Sequence, residues 1–321
     1  MTGFLRLAVI AISWLAFGAQ AQPYPARPIR MILAFPPGGP TDINARSFAQ
    51  KLSEQMGQQV LVDNRAGAGG NIGAAEAARA APDGYTVFYN TSAIAIAPSL
   101  YSKVPFDPVK DYVPVALTAT VPLVLAVNPN LPVKSVQEFI AYAKANPNKL
   151  NYASSGSGTI THLAGALFVS QMGLQMQHIP YKGSAPALVD VVTGQVQMMI
   201  DTINTVAPYA KDNRLRALAI AITRRSALLP DVPTLEHAAN LPGFEMSAWQ
   251  GIVVPAGTPA DIVARLNAEV NKALQSPELR TRLAAGGSEP LGGTSEHYAA
   301  YIRSELGRWA KVVRDSGAKL D

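Results

Sequence analysis

The sequence predicts an α/β protein made of two lobes. Three features carry this expectation. Short apolar runs alternate with segments of helical periodicity, the sign of parallel strands joined by crossover helices. This strand–turn–helix grammar lapses after residue 92 and starts again beyond residue 128. Gly-rich turns separate strand from helix at the opening of both stretches.

The run 29–34 is the first strand, and Pro36 and Pro37 close it. Gly38 and Gly39 permit a tight turn, and Thr41 and Asp42 can cap a helix whose inner face is Phe48, Leu52 and Met56. A strand at 59–63, a second Gly-rich turn at 65–71, a small-residue helix at 72–81 and a strand at 85–89 follow, the last ending at Asn90-Thr91-Ser92. The stretch 105–114 reads as a loop, and 121–127 as a strand crossing into the second lobe. There, helices are expected at 135–146, 160–172, 183–193 and near Asn204, with strands at 150–154, 177–180, 196–201 and 215–221. A Pro-rich connection at 229–242 leads to a strand at 249–255. Ile262, Leu266, Val270 and Leu274 form one helical stripe, and Tyr298, Ile302 and Leu306 another, continued by Trp309 and Val313; Pro277 divides the tail. This helical tail is expected to pack back on the first lobe. The expected organisation is a signal peptide at 1–21, a discontinuous lobe 1 at 22–124 and 223–321, and lobe 2 at 125–222.

Composition narrows the function. The chain has 321 residues, 48% hydrophobic and 15% charged, which fits a packed core rather than disorder. Arg6, the apolar run 7–17 and Ala19-Gln20-Ala21 have the form of a secretory signal with a small-x-small cleavage site, too short to span a bilayer. There is no cysteine, so neither a disulfide nor a lipid anchor at the signal junction is available. A freely soluble monomer outside the inner membrane is expected. The formal charge of +5 is spread without a Lys/Arg cluster, which together with export argues against nucleic acid.

The candidate site lies where strands give way to helices. Phe35, Gly38, Gly39 and Asp42 belong to the first corner. Ser154 to Thr159 form its counterpart, with glycines for close backbone approach and hydroxyls to donate hydrogen bonds. If the lobes face each other, both corners border the cleft and each can hold an anionic group. His162 follows on the first turn of the second helix; Asp201 ends a strand and can meet a ligand amine or orient donors; Lys182 can supply a positive charge. Structural readings stand beside these: a core histidine, a capping aspartate and a solvated lysine. No metal-ligand spacing or cofactor motif is present in the sequence, and none is expected.

With these motifs assembled, the chain resembles the Bug/TctC family, the periplasmic solute receptors of tripartite tricarboxylate transporters. The resemblance runs from about Tyr24 to the C-terminus. It rests on Tyr24-Pro25-x-Arg27-Pro28-Ile29, Phe35-Pro36-Pro37-Gly38-Gly39-x-x-Asp42, Asn64-Arg65-x-Gly67-Ala68-Gly69-Gly70-Asn71 and Pro82-Asp83-Gly84-Tyr85-Thr86. Gly156-x-Gly158-Thr159-x-x-His162, Pro180-Tyr181-Lys182-Gly183, Leu229-Pro230-Asp231-Val232-Pro233-Thr234 and Pro255-Ala256-Gly257-Thr258-Pro259 complete it. It implies a type II periplasmic binding protein closing on a small carboxylate-bearing solute, a di- or tricarboxylate, an aromatic acid or an acidic amino acid, with a membrane permease as partner. It assigns ligand contacts to Phe35, Gly38, Gly39, Asp42, Ser157, Gly158, Thr159 and His162, and extends them to Ser92 and Asp201. Pro40 departs from the family pattern and removes one N–H from the first corner. A ligand sensor for a membrane signalling protein is the nearest alternative. An exported hydrolase is a more distant one, since Ser155-Gly156-Ser157-Gly158 lacks the Gly-x-Ser-x-Gly spacing.

Overall fold

The computed structural model describes residues 24–318, so the expected signal peptide at 1–21 lies outside the described residues. In chain order the elements are β1 (Ile29–Leu33), α1 (Pro40–Met56), β2 (Val60–Asn64), a 3-10 turn (Ala68–Gly70), α2 (Asn71–Ala78), β3 (Thr86–Thr91) and α3 (Ala93–Leu100). Then come β4 (Tyr112–Val127), α4 (Val136–Ala145), β5 (Leu150–Ser154), α5 (Ile160–Gln171), β6 (Met176–Pro180), α6 (Ser184–Thr193), β7 (Met198–Thr202), α7 (Ile203–Lys211) and β8 (Arg216–Ile220). The chain ends with α8 (Leu235–Ala239), β9 (Ser247–Pro255), α9 (Ala260–Gln275), α10 (Pro277–Ala285), β10 (Glu289–Pro290) and α11 (Ser295–Ser316).

Among the described residues the strands form one sheet in the order β2-β1-β3-β9-β4-β7-β5-β6, with β8 and β10 also pairing to β4. Two parallel groups, β2-β1-β3 and β6-β5-β7, lie on either side of the antiparallel pair β9-β4. Strand β1 is buried on both faces, as parallel strands under crossover helices must be. Ile29, Met31 and Leu33 pack with Phe48 of α1 and Leu266 of α9, whereas Ile32 and Ala34 face the other way. That second face is continuous with the apolar interior of the other strand group.

Strand β4 ties the two groups together. Its first part pairs with β9 as far as Pro122, and from Leu123 onward it pairs with β7 and β8. From sequence the stretch 105–114 reads as a loop, whereas β4 already begins at Tyr112. Proline interrupts a ladder, but here the register shifts between Pro114 and Ala116 and the strand continues through the irregularity. At the changeover, Leu123 donates to Met246 O at 3.3 Å, Met246 to Ala221 O at 2.7 Å and Ala221 to Leu123 O at 2.8 Å. Three chain passages thus run side by side between the strand groups. Helix α3 went unassigned in the sequence: Ala93-Ile94-Ala95-Ile96 alternates like a strand, and Pro98 sits inside the helix. It is buried almost all round, so it carries no amphipathic stripe to read. In the tail, α9 packs on α1 and β4, while α11 lies along α3 and β4 and reaches α5.

Candidate ligand-binding cleft

The first corner is built by its own carboxylate. β1 ends at Leu33, and the chain turns through Gly38, whose φ of 78° suits glycine, before Pro40 begins α1. Buried Asp42 accepts hydrogen bonds from Gly38 N–H, Arg46 Nε and Asn64 Nδ2, each at 2.9 Å. Asn64 also donates to Phe35 O at 2.9 Å. Burial works to raise the pKa of Asp42, but the bonds from Arg46, Gly38 and Asn64 outweigh it and hold the group below its ordinary 3.8. An ionised Asp42 is therefore the clasp of the turn. It occupies the Gly38 N–H and leaves the N–H groups at the start of α1 without intrahelical partners.

The second corner satisfies most of its hydroxyls internally. Thr159 caps α5, its Oγ1 accepting from His162 N–H. Ser155 Oγ lies 3.2 Å from Thr159 Oγ1 and 2.8 Å from Thr161 Oγ1, and Thr159 Oγ1 donates to Gly156 O at 2.7 Å. Gly158 N–H is turned back onto His162 Nδ1 at 3.3 Å. The His162 ring stacks on His178 with centroids 4.0 Å apart, and His178 Nε2 lies 2.7 Å from Ser154 Oγ. Burial pushes the pKa of His162 down to about 4; burial, and then the repulsion that a protonated His162 would exert, push His178 to about 3. Both imidazoles are neutral at pH 7, as an Nδ1 that accepts a hydrogen bond requires.

Five strand-to-helix junctions meet around a cavity of about 170 Å³. Phe35, Gly39 and Thr41 come from the first, Ser92 from the β3–α3 junction, and Thr159 and Thr161 from the second corner. The β6–α6 junction supplies Lys182 to Ala185, the β7–α7 junction Asp201, Thr202 and Asn204, and β9 contributes Gln250. A second hollow of about 510 Å³ shares Phe35, Ser155, Thr159 and Lys182 with the first and adds Ser157, the Gly67–Gly70 turn and Tyr101. Of the residues expected from sequence, Phe35, Gly39, Ser92, Thr159 and Asp201 line the cavity and Ser157 lines the adjoining hollow. Gly38, Asp42, Gly158 and His162 line neither and stand behind the two corners. Gln250 and Asn204 carry no sequence signal, being single amides in a strand and a helix start.

The electrostatics favour an anion without a cluster of bases. The first residues of α1, α5 and α6 all border the cavity, and their unpaired N–H groups and dipoles point positive charge toward it. Gln250 Oε1 accepts from Asn44 Nδ2 and Tyr89 OH, both at 2.9 Å, which directs its amide N–H₂ away from that network. Among the described residues, Lys182 is the one basic side chain on the wall. Asp201 stands opposite in character: it is 1% exposed, and burial pushes its pKa up to about 6 against the pull of donors from Ser184, Thr202 and Thr205.

A cavity ringed by helix N-termini where two groups of parallel strands meet defines a solute-binding protein of the periplasmic type, and the structural neighbours are proteins of that type. The chain belongs to the tripartite tricarboxylate transporter receptor family, TctC, whose model matches residues 44–318. It is 42% identical to the protein BugT of Bordetella pertussis over 313 residues, 97% of this chain and 96% of BugT. Among solved structures, Rpa4515 of R. palustris with adipate superposes with a TM-score of 0.89 at 37% identity, covering 92% of this chain and all of that one. MatC of Rhodopseudomonas palustris with bound malate gives 0.83 at 34% identity, covering 90% and 100%.

Proposed function

We propose that this chain is an extracytoplasmic receptor that reversibly binds a small carboxylate-bearing solute in the 170 Å³ cavity and hands it to a membrane permease of the tripartite tricarboxylate type. The convergence of the α1, α5 and α6 N-termini on one cavity is the observation that carries this reading. Adipate and malate in the two relatives support the carboxylate class. Hydrogen bonds to a charged group contribute about 1.5–3 kcal/mol each, so four or five suffice for the ~8 kcal/mol of micromolar binding after ordering costs. Ser154 and His178 superficially suggest a hydrolase pair. Ser154 is fully buried and lines neither hollow, which favours a structural role.

In this reading Phe35, Gly39, Ser92, Ser157, Thr159 and Asp201 face the solute, and Gly38, Asp42, Gly158 and His162 hold the two corners in shape. The lobes are 22–124 with 223–321, and 125–222, and they hinge at the three passages beside Leu123. Removal of residues 1–21 delivers a monomer to the periplasm, where it acts by binding rather than by chemistry. Isothermal titration and thermal shift with adipate, malate, citrate, glutamate and benzoate test the proposal. At least one should raise Tm and titrate; at a hundredfold excess over Kd the gain is about 2.7 kcal/mol. Flat responses to all organic acids would exclude it.

A further inference from the structure

The wall formed by β7 and α7 does not suit a carboxylate. Asp201 ends β7, and its Oδ1 accepts from Thr202 N–H at 2.6 Å and Thr202 Oγ1 at 3.2 Å. Its Oδ2 is buried and has no partner at hydrogen-bond distance, although the Ser184 and Thr205 hydroxyls lie near the carboxylate. Three residues on, at the start of α7, Asn204 Oδ1 is likewise buried and unpartnered. Both residues line the cavity. A buried acceptor without a donor is costly, and a carboxylate, which only accepts, cannot relieve it. A carboxylate beside Asp201 would also add like charge.

Resting on the receptor reading above, we infer that the solute carries, besides its carboxylate, a hydrogen-bond-donating substituent, a hydroxyl or an ammonium, which docks on Asp201 and Asn204. The cavity then has two chemical ends. Helix starts, the Gln250 amide and Lys182 supply donors to the carboxylate; the β7–α7 wall supplies acceptors to the substituent. This polarity orients the solute. It also selects for it, because a site shaped for an OH or NH group leaves its own polar atoms unpaired when the analogue lacks that group.

The test uses matched acids on the mature full chain: succinate, malate and aspartate; glutarate, 2-hydroxyglutarate and glutamate; adipate and 2-aminoadipate. Titration calorimetry should show, in any series that binds, a substituted member at least ~10-fold tighter than its unsubstituted parent. Asp201→Asn, nearly isosteric and able to donate, should reduce that ratio to roughly threefold or less, mainly by improving the parent. A parent that binds as tightly as its substituted relatives overturns the inference; that is also the result expected if Asp201 is protonated and donates to a second carboxylate. An unchanged ratio in Asp201→Asn overturns it too. Should that variant fail to fold, Asn204→Ala provides the same comparison. Dimethyl esters of the acids separate the two claims. Esters binding as well as acids remove the carboxylate reading, whereas failure of the substituent preference with esters silent removes only the donor claim. Binding by none of the acids removes both.

Discussion

Asp42 and Asp201 are 3% and 1% exposed, yet their surroundings drive them in opposite directions. Asp42 is met by a guanidinium, an amide and a backbone N–H, so its carboxylate stabilises the fold above pH 3.8 and that contribution is lost as acid protonates it. Asp201 is met by neutral hydroxyls and one backbone N–H, and burial outweighs them and raises its pKa to about 6. The sign is reversed: the folded state binds the proton more tightly than the unfolded chain, so the cost of Asp201 is absent below pH 3.8, grows as pH rises to 6 and is complete above it. Asp201→Asn should therefore stabilise the unliganded protein by ~1–3 kcal/mol at pH 8, with the gain vanishing near pH 4. Urea unfolding of both proteins across that range measures it; a gain independent of pH would mean that Asp201 does not titrate in the fold. Sequence alone made both aspartates candidates, because each ends a strand or starts a helix. It could not separate them, because part of what distinguishes them comes from elsewhere in the chain: Asn64 of β2 donates to Asp42, and the Ser184 hydroxyl of α6 stands beside Asp201. The same holds for His162, placed correctly on the first turn of α5 but turned inward to Gly158 and His178.

At the scale of elements, what was legible in the sequence was what is local. Strand β1, its Gly-rich turn and α1 follow from an apolar run, two prolines and a four-residue spacing. Strand β4 and helix α3 did not, because their identity is set by neighbours: β9 holds β4 in register through an irregularity, and α3 is surrounded on all sides. Helix α11 shows how such an element is fixed. Glu305 Oε2 accepts from Trp249 Nε1 of β9 at 2.7 Å and from Trp309 Nε1 of its own helix at 2.8 Å, while Oε1 pairs with Arg308 at 3.1 Å. Both indoles are fully buried. Glu305→Ala leaves two buried N–H groups unpaired and should lower stability by ~2–5 kcal/mol. Glu305→Gln keeps an acceptor oxygen and should lose less than half as much. Equal losses in denaturant titrations of the two variants would show that packing, not the shared acceptor, holds the helix.

For the molecule as a whole, each of the two corners touches the wall opposite it. Tyr101 OH donates to Ser157 O at 3.2 Å, and a Cβ at Gly69 would lie 2.6 Å from that same oxygen and 2.8 Å from Tyr101 OH. Pro36 reaches within 3.5 Å of where a Cβ on Gly183 would stand. A two-state hinge can be biased by anything that contacts one state only, and these contacts join residues from opposite strand groups. Gly69→Ala should therefore act on closure. Its φ of 64° costs an alanine about 1 kcal/mol in either state, while the clash with Ser157 O exists only when the halves are together. The expected result is a ~10- to 100-fold weaker affinity for the bound acid, carried mainly by a faster off-rate, with Tm of the free protein lowered by only a few degrees. Tyr101→Phe, which removes one hydrogen bond and adds no atom, should weaken binding by less than ~10-fold. Small-angle scattering of the saturated Gly69→Ala protein should give a larger radius of gyration than the saturated parent. If affinity and radius both stay at the parent's values, the Gly69–Ser157 contact plays no part in holding the solute, and closure must be located elsewhere in the cleft.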